Sequence, residues 1–345
     1  MNNAVMIAMS AGVDSAVSAH LVSKRFERAA GVTMQHFVEC GDEDSKSAAA
    51  LCAQLGIPHF TAHLYDAFAR DVIQPFIEAY ENGQTPNPCI FCNKRIKFGA
   101  LLAFANENGY DRIATGHYAR IEHSESGRTL LRRASDETKD QTYMLYSLTQ
   151  DVLKRVLFPL GDMRKQEVRA LASSLGFSMA NREDSQDICF IPDGDYASYI
   201  ARATGRTSDE GCFLSTDGRL LGKHKGQLHY TIGQRKGLGI ALGAPAYVVA
   251  KSAKDNTVTL GTNEDLFQTR LVARNINLIP YDSLRSPQRL LAKVRYSQTP
   301  TLARVEQTGE DELTVEFDVP QRAISAGQSL VLYEDDYLVG GGIIT

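Results

Sequence analysis

The chain opens with a short apolar run that breaks into a turn of small residues. Residues 4–9 (AVMIAM) carry no charge, which is typical of a strand buried on both faces of a parallel sheet. Residues 10–15 (SAGVDS) are small and mostly polar, and from Ala16 onward apolar side chains recur at helical spacing. The pattern therefore predicts a strand, a tight loop and a helix in succession.

Strands and helices continue to alternate through the first half of the chain. Predicted strands lie at residues 29–34, 59–64, 112–115 and 129–133. Predicted helices lie at residues 45–55, 66–80 and 165–175, and another begins around Cys89 and Cys92. This alternation predicts an α/β fold built on a doubly wound parallel sheet, where ligands bind at the carboxyl ends of the strands.

The pattern changes near residue 201, where short alternating segments and frequent glycines replace helical periods. We interpret residues 201–270 as a small, mixed, β-rich central domain that follows a catalytic domain at residues 1–200. Predicted strands near residues 289–297, 301–307, 312–317, 329–333 and 337–344 then indicate a small closed β-barrel at residues 271–345.

Composition narrows the class of protein. The 345 residues carry a net charge of −4, so a broadly basic nucleic-acid coat is excluded and such binding must use local patches. The first apolar run is too short for export or for a membrane span. Six cysteines without a secretory signal indicate reduced thiols. We therefore expect a cytoplasmic protein without a membrane partner.

The first loop has the chemistry of an anion site. Backbone N–H groups, the hydroxyls of Ser10 and Ser15 and the positive end of the next helix together form a cradle for phosphate. The loop lacks a Gly-Lys-Ser/Thr sequence and has a single glycine, which excludes a Walker loop and the dinucleotide fingerprint. The alternative is a structural turn in which Asp14 caps the helix.

A pair of cysteines marks the most unusual segment. Cys89 and Cys92 lie where a helix begins, close to Lys94, Arg95 and Lys97. A thiol in that environment is expected to have a lowered pKa and to be largely thiolate near neutral pH. Half of a zinc knuckle is the alternative, although no second pair follows at finger spacing.

A further cysteine, Cys189, lies in a setting of polar residues. Arg182 and Asp184 precede it and Asp187 is two residues away, so we interpret it as a second functional thiol. A buried structural cysteine is the alternative.

Several polar residues follow predicted strands. Gly116 and His117 come at a strand end that suits a nucleotide or a substrate. Asp140 precedes a helical pattern and is equally well explained as a cap. Met34 also ends a strand, where it could pack against adenine or simply belong to the core.

Nine segments together carry a family resemblance. They are SAGVDSAV, GVTM, TPNPCIFCNKRIKFGALL, IATGHYARI, KDQTYMLYSLTQ, LFPLGD, DSQDICFI, HYTIGQRKGLGI and GQSLVLYEDDYLVGGGII, in this order along the chain. The sequence resembles the tRNA-specific 2-thiouridylases, members of the PP-loop ATP pyrophosphatase superfamily. The family loop is SGGxDS, so Ala11 departs from it; many relatives also have aspartate in place of Cys89.

The resemblance implies roles for particular residues. It implies that Cys92 is the nucleophile, that Cys189 carries a persulfide and that Asp14 takes part in catalysis. The implied ATP-binding residues are Ala8, Met9, Ser10, Ala11, Gly12, Val13, Asp14, Ser15, Met34 and Gly116. The implied contacts to the target base are Asn87, Pro88 and Cys89. The implied contacts to tRNA are His117, Lys139, Asp140, Gln141, Arg295, Tyr296 and Gln328.

The reaction implied by the resemblance is 2-thiolation of the wobble uridine in the anticodon loop of tRNA. ATP with Mg²⁺ adenylates the carbonyl oxygen on carbon 2, and sulfur from the persulfide replaces it, with release of AMP and pyrophosphate. A persulfide-carrying donor protein is the implied second partner. Three alternatives remain: another adenylating enzyme such as an amide synthetase, an iron-sulfur centre held by Cys89, Cys92 and Cys189, or a tRNA-binding module whose loop has decayed at Ala11.

Overall fold

The computed structural model describes residues 4–37, 42–181, 188–206 and 208–345. Its strands are β1 Ala4–Met9, β2 Arg28–Gln35, β3 His59–His63, β4 Arg112–Ala114, β5 Arg120–His123, β6 Thr129–Arg132, β7 Val156–Leu157, β8 Gly211–Ser215, β9 Leu220–His224, β10 Tyr247–Ser252, β11 Thr257–Gly261, β12 Phe267–Leu278, β13 Gln288–Lys293, β14 Thr301–Gly309, β15 Glu312–Arg322, β16 Ser329–Glu334 and β17 Tyr337–Ile344.

Helices connect these strands. The regular α-helices are Val13–Arg25, Asp42–Gln54, Gln150–Leu153, Lys165–Ser174 and Tyr196–Thr204. Two longer helices, residues 65–81 and residues 88–107, contain the π-helical segments Ala69–Ile73 and Cys92–Ala100. Short 3₁₀ turns are Glu137–Lys139, Thr142–Leu145, Ser178–Asn181, Gln227–His229 and Glu264–Leu266. Within the described residues, no helix combines the length and apolar character needed to cross a bilayer.

The predicted parallel sheet is confirmed. Its strand order is β3-β2-β1-β4-β7, and every neighbouring pair is parallel. Both faces of β1 are covered, because Met6 packs in one apolar cluster while Val5 and Ile7 pack in another. The carboxyl ends of β1, β2 and β4 therefore meet at one edge, as expected for a ligand site in this fold.

We name the helix of residues 88–107 the cysteine helix. It begins at an earlier residue than the sequence analysis predicted, which placed its start around Cys89 and Cys92. Pro88 is its first residue, and the side chain of Asn87 accepts a hydrogen bond from the N–H of Cys89. Proline suits this position because the first helical N–H has no intrahelical partner. Cys92 therefore lies inside the helix and not at its N-terminus.

The C-terminal barrel is also confirmed. Six antiparallel strands run in the order β12-β15-β14-β13-β16-β17, and pairing of β12 with β17 closes the ring. The hairpin of β5 and β6 adds to this sheet through the pair Arg132 and Tyr337. The central strands form a separate sheet in the order β10-β11-β8-β9. The residue boundaries given above for the three domains remain a prediction.

The barrel also contacts the segment that leads into the cysteine helix. The N–H of Thr85 donates to the carbonyl of Ala326, and the Gln328 side chain donates to the carbonyl of Thr85 at 2.7 Å. A Cβ on Gly327 would lie 2.9 Å from the Gln84 side chain. Close backbone approach therefore holds the start of the cysteine helix against the barrel.

Candidate active site

The loop after β1 is a compact cradle at the edge of the parallel sheet. Ser15 donates its hydroxyl to the carbonyl of Gly12 at 2.9 Å and accepts the N–H of Ser10 at 3.2 Å. Ala11 is buried and has a φ of 52°, a left-handed value that L-residues other than asparagine and aspartate rarely adopt. The loop thus keeps the conformation that a glycine would favour, with a methyl group in its place.

Asp14 is a partner of a buried lysine. The Lys165 ammonium lies 2.8 and 2.7 Å from the two carboxylate oxygens of Asp14, and the Tyr118 hydroxyl donates to one of them at 2.8 Å. Gly12 is the helix N-cap, without a side-chain cap, so the capping interpretation of Asp14 is wrong. Lys165 is held in turn because its N–H donates to Asp136, which lowers the pKa of that carboxyl.

Gly116 brings the end of β4 against the loop. A Cβ there would lie 3.0 Å from the carbonyl carbon and the Cβ of Asp14, and 3.2 Å from the N–H nitrogen of Ser15. Any larger residue would have to displace the loop backbone. Glycine at this position is therefore explained by close approach of two backbones.

A cleft of about 670 Å³ opens over these residues. Nine of the ten predicted ATP positions line it, and the buried Ala11 does not. Met34 at the end of β2 forms part of the wall, and its backbone carbonyl contacts His36 Nδ1 at 3.2 Å. The loop donors, the cationic Lys165 and the apolar Met34 fit a nucleotide with its phosphates at the loop.

Magnesium and iron-sulfur chemistry fit the described residues less well. Both oxygens of Asp14 are engaged by Lys165, so this carboxylate is not open to Mg²⁺ in this conformation. Among the described residues, no group of three or more His, Cys, Asp or Glu side chains is arranged to hold a metal ion. We therefore assign no step to either group.

The thiols of the cysteine helix differ from the sequence-based expectation. Cys92 is buried, and burial raises the pKa of its thiol to about 11 against the opposing effect of Lys97. Partial desolvation also raises the pKa of the Cys89 thiol. The prediction of lowered pKa values is wrong, because Cys92 is removed from the helix end and Lys94 and Arg95 point outward, where they are exposed.

Residues that flank Cys189 in the sequence pack in the same apolar cluster as Cys92, the other predicted catalytic cysteine. Cys92 packs in an apolar cluster with Phe190 and with Ile188, the two neighbours of Cys189. Cys189 itself is exposed. One thiol is therefore shielded and the other accessible, beside a shared apolar cluster. The polar residues Arg182, Asp184 and Asp187 lie outside the described residues.

Four of the predicted tRNA contacts line the cleft: His117, Lys139, Gln141 and Tyr296. His117 is bonded to Thr115 at 2.7 Å, and burial lowers its pKa well below the usual value, so it is neutral at neutral pH. The Tyr296 hydroxyl donates to the carbonyl of Asp140 at 3.2 Å. The cleft thus extends from the phosphate loop to a residue of the barrel.

The other predicted contacts lie outside the cleft. The Asp140 carboxylate accepts bonds from Thr142 and from the N–H of Ala134. Gln141 is the N-cap of the following turn, without a side-chain cap, so the capping interpretation of Asp140 is wrong. Arg295 donates to the carbonyl of Ala323 on the barrel. Asn87, Pro88 and Cys89 lie at the start of the cysteine helix, away from the cleft lining.

Two lysines of the cleft were not identified as site residues from the sequence. Lys165 looked like the ordinary start of a helix after the LFPLGD turn, and Lys97 looked like one of three similar cations. Both line the cleft. No local pattern distinguishes them, because their roles depend on contacts to residues far away along the chain.

Comparison with known proteins agrees with this architecture. Residues 3–193 match the tRNA methyl transferase HUP domain, residues 198–262 the tRNA methyl transferase PRC-barrel domain, and residues 268–344 the aminomethyltransferase beta-barrel domain. Among solved structures, an NMN synthetase from Francisella tularensis aligns with 60% of this chain and 79% of its own at 17% identity and a TM-score of 0.35, a likeness too weak to decide anything.

Curated relatives match over the whole length. The chain is 46% identical to tRNA-specific 2-thiouridylase MnmA of Clostridioides difficile (strain 630), covering 100% of this chain and 98% of that protein. It is 44% identical to the protein of the same name from Clostridium kluyveri, covering 100% and 99%. The chain therefore belongs to the tRNA-specific 2-thiouridylase family.

Proposed function

We propose that this protein is an ATP-dependent sulfurtransferase that thiolates carbon 2 of the wobble uridine in tRNA. The observation that carries the proposal is the single cleft that joins the phosphate loop to Lys97, a residue of the helix that bears Cys92. Membership of a family whose relatives bear the name tRNA-specific 2-thiouridylase supports tRNA thiolation as the overall reaction.

The first step of the proposed reaction activates the base. A uracil carbonyl oxygen is a poor leaving group, so the oxygen attacks the α phosphorus of ATP and pyrophosphate leaves. Loop N–H groups, the end of the helix Val13–Arg25 and the Lys165 ammonium are positioned to stabilise the negative charge on the phosphates. Tyr118 and Lys165 keep Asp14 in a fixed orientation within the loop.

The second step transfers sulfur. The terminal sulfur of a persulfide on Cys189 attacks carbon 2, and AMP leaves with the former carbonyl oxygen. The thiolate of Cys92 then attacks the sulfur of Cys189, so that the S–S bond breaks, the thiocarbonyl is released and a Cys92–Cys189 disulfide forms. Alternatively, Cys92 attacks first and releases hydrosulfide, which then attacks carbon 2. Either route ends in a disulfide that an external thiol must reduce.

The different exposure of the two thiols supports these roles. An exposed Cys189 can accept sulfur from a donor protein, whereas a buried Cys92 is protected from the same donor. The base must leave its stack to enter the cleft, which costs less in a single-stranded anticodon loop than in a duplex.

Replacement of each thiol tests the proposal. Purified protein is supplied with wobble-uridine tRNA, ATP and a chemical persulfide donor, and both AMP and thiolated nucleoside are measured. We expect Cys92→Ser and Cys189→Ser each to abolish thiolation while tRNA affinity stays within a few fold, and Cys212→Ser on β8 to behave as wild type. Thiolated product without formation of AMP, or full activity of Cys92→Ser or Cys189→Ser, would contradict the mechanism. Binding of tRNA without formation of AMP would favour the alternative of a tRNA-binding module whose loop has decayed at Ala11.

A further inference from the structure

Lys97 is a cation between the thiol site and the nucleotide cleft. Its side chain is half-buried and lines the cleft, whereas Lys94 and Arg95 on the same helix are exposed. Within the described part of the chain, Lys97 makes no hydrogen bond or ion pair. A half-buried cation that forms no ion pair is suited to bind an anion that the reaction supplies.

The π-helical segment explains why Lys97 lies on the side of Cys92. In an α-helix, residues five apart are separated by about 140° around the axis, since each residue advances by about 100°. In a π-helix, the hydrogen bonds run from residue i to residue i+5, so residues five apart lie on the same face of the helix. The segment Cys92–Ala100 has this geometry, and the N–H of Leu101 bonds to the carbonyl of Ile96. Lys97 is five residues after Cys92.

Other groups near Cys92 do not supply a positive charge at neutral pH. His36, after β2, and His117, after β4, both have lowered pKa values because of burial, so both are neutral. Arg70, on the adjacent π-helical segment Ala69–Ile73, donates to the carboxylate of Asp71, so its positive charge is already paired. The other groups nearby are the thiols of Cys89 and Cys189 and the hydroxyl of Tyr80, which carry no positive charge in any state.

We propose that Lys97 is a positioning residue that stabilises the thiolate of Cys92 and links that thiolate to the anion in the cleft. The inference rests on the function proposed above. When Cys92 ionises, its proton goes to solvent and Lys97 compensates the charge left on the buried sulfur. Phosphates in the cleft compete for the same ammonium group. Cys92 therefore becomes a stronger nucleophile once pyrophosphate has left, which orders activation before sulfur transfer.

Site-resolved alkylation tests the first part. Iodoacetamide labelling of each cysteine is followed by mass spectrometry between pH 7 and 10.5 in wild type, Lys97→Met, Lys97→Arg and, as a matched control, Lys94→Met. Throughout this range Cys92 is below its midpoint, so its labelling rate is proportional to the thiolate fraction, and without the ammonium we expect that rate to fall about tenfold at each pH. Lys97→Arg and Lys94→Met should behave as wild type, and Cys212 should be unchanged throughout. An unchanged Cys92 labelling rate in Lys97→Met would overturn the proposal.

A nucleotide arm tests the link to the cleft and remains informative if Lys97→Met fails to fold. Saturating α,β-methylene-ATP should slow Cys92 labelling in wild type and leave the rate unchanged in Lys97→Met. Adenosine, which carries no phosphate, should leave the rate unchanged; equal slowing by adenosine would mean simple shielding and would contradict the link. Labelling needs no turnover, so this result is independent of whether the protein thiolates tRNA.

Discussion

At the scale of single residues, Ala11 combines a methyl group that the family glycine lacks with a left-handed backbone conformation. The family loop has glycine at this position, and the structure gives Ala11 a φ of 52° in a buried turn. A left-handed conformation costs an alanine about 1–2 kcal/mol relative to its preferred region. The loop accepts this cost because its hydrogen bonds and the close approach of Gly116 determine the backbone path.

We expect Ala11→Gly to leave ATP affinity unchanged or improved. Relief of the left-handed conformation is offset by the extra entropy of glycine in the unfolded chain, so the free energy of unfolding should change by less than about 1 kcal/mol. Ala103→Gly, at an exposed position of the cysteine helix, is the control and should destabilise by about 1 kcal/mol. ATP titration and urea denaturation measure both quantities. A tenfold loss of affinity would mean that the loop depends on the methyl group.

At the scale of elements, the cysteine helix depends on its first turn. Asn87 caps it through the N–H of Cys89, and the Asn87 amide also donates to the sulfur of Met144 at 3.5 Å. One face of the helix packs under the sheet through Phe98 and Leu101, and Cys92 and Ile96 pack in the cluster that also contains Phe190. The cap therefore determines where the helix starts and hence how Cys92 is oriented.

Asn87→Ala is expected to lower the free energy of unfolding by about 1 kcal/mol, because an orphan N–H loses its acceptor. Asn87→Asp keeps an acceptor at the same place and should retain most of the stability. Urea denaturation of the three proteins gives the comparison. If thiolation falls in both variants although Asn87→Asp retains stability, the Asn87 amide also contacts the target base. An unchanged free energy of unfolding in Asn87→Ala would show that Asn87 does not act as a stabilising cap.

At the scale of the whole molecule, the barrel supplies charge and aromatic surface to the mouth of the cleft. The Lys293 ammonium lies 5.7 Å from the ring centres of both Tyr143 and Tyr296, and it has no ion pair among the described residues. Arg289 on the same strand is instead paired with Asp318 at 2.8 Å. An unpaired cation beside the exposed ring of Tyr296 suits a nucleic-acid backbone with a stacked base, whereas the ring of Tyr143 is buried.

We expect Lys293→Gln to weaken tRNA binding and to reduce the slope of log Kd against log salt by about one, because one phosphate contact is lost. Arg289→Gln is the matched control and should keep the wild-type slope, since its charge is already neutralised. Filter binding between low and moderate salt provides the measurement. Equal slopes in all three proteins would remove Lys293 from the interface.

Parts of the fold could be predicted from local patterns. Strand β1, the parallel sheet and the barrel strands follow from apolar runs and alternation. Strand β12 was missed because most of its side chains are exposed or half-buried and show no alternation. Strands β5 and β7 were missed because four and two residues give too short a pattern. The loop after β1 could be predicted as an anion site because its hydroxyl and N–H donors are contained in consecutive residues.

The order of residues along the chain determined the elements, the loop predicted to hold phosphate and the positions of the cysteines, since each depends on spacing within a few positions. Only the tertiary structure decided the charge partners and the burial of those groups. Lys165 meets Asp14 across 151 positions of sequence, and burial raises the pKa of Cys92 where local charge suggested the opposite. Charge stabilisation and desolvation depend on which distant segments pack around a group, and no local pattern contains that information.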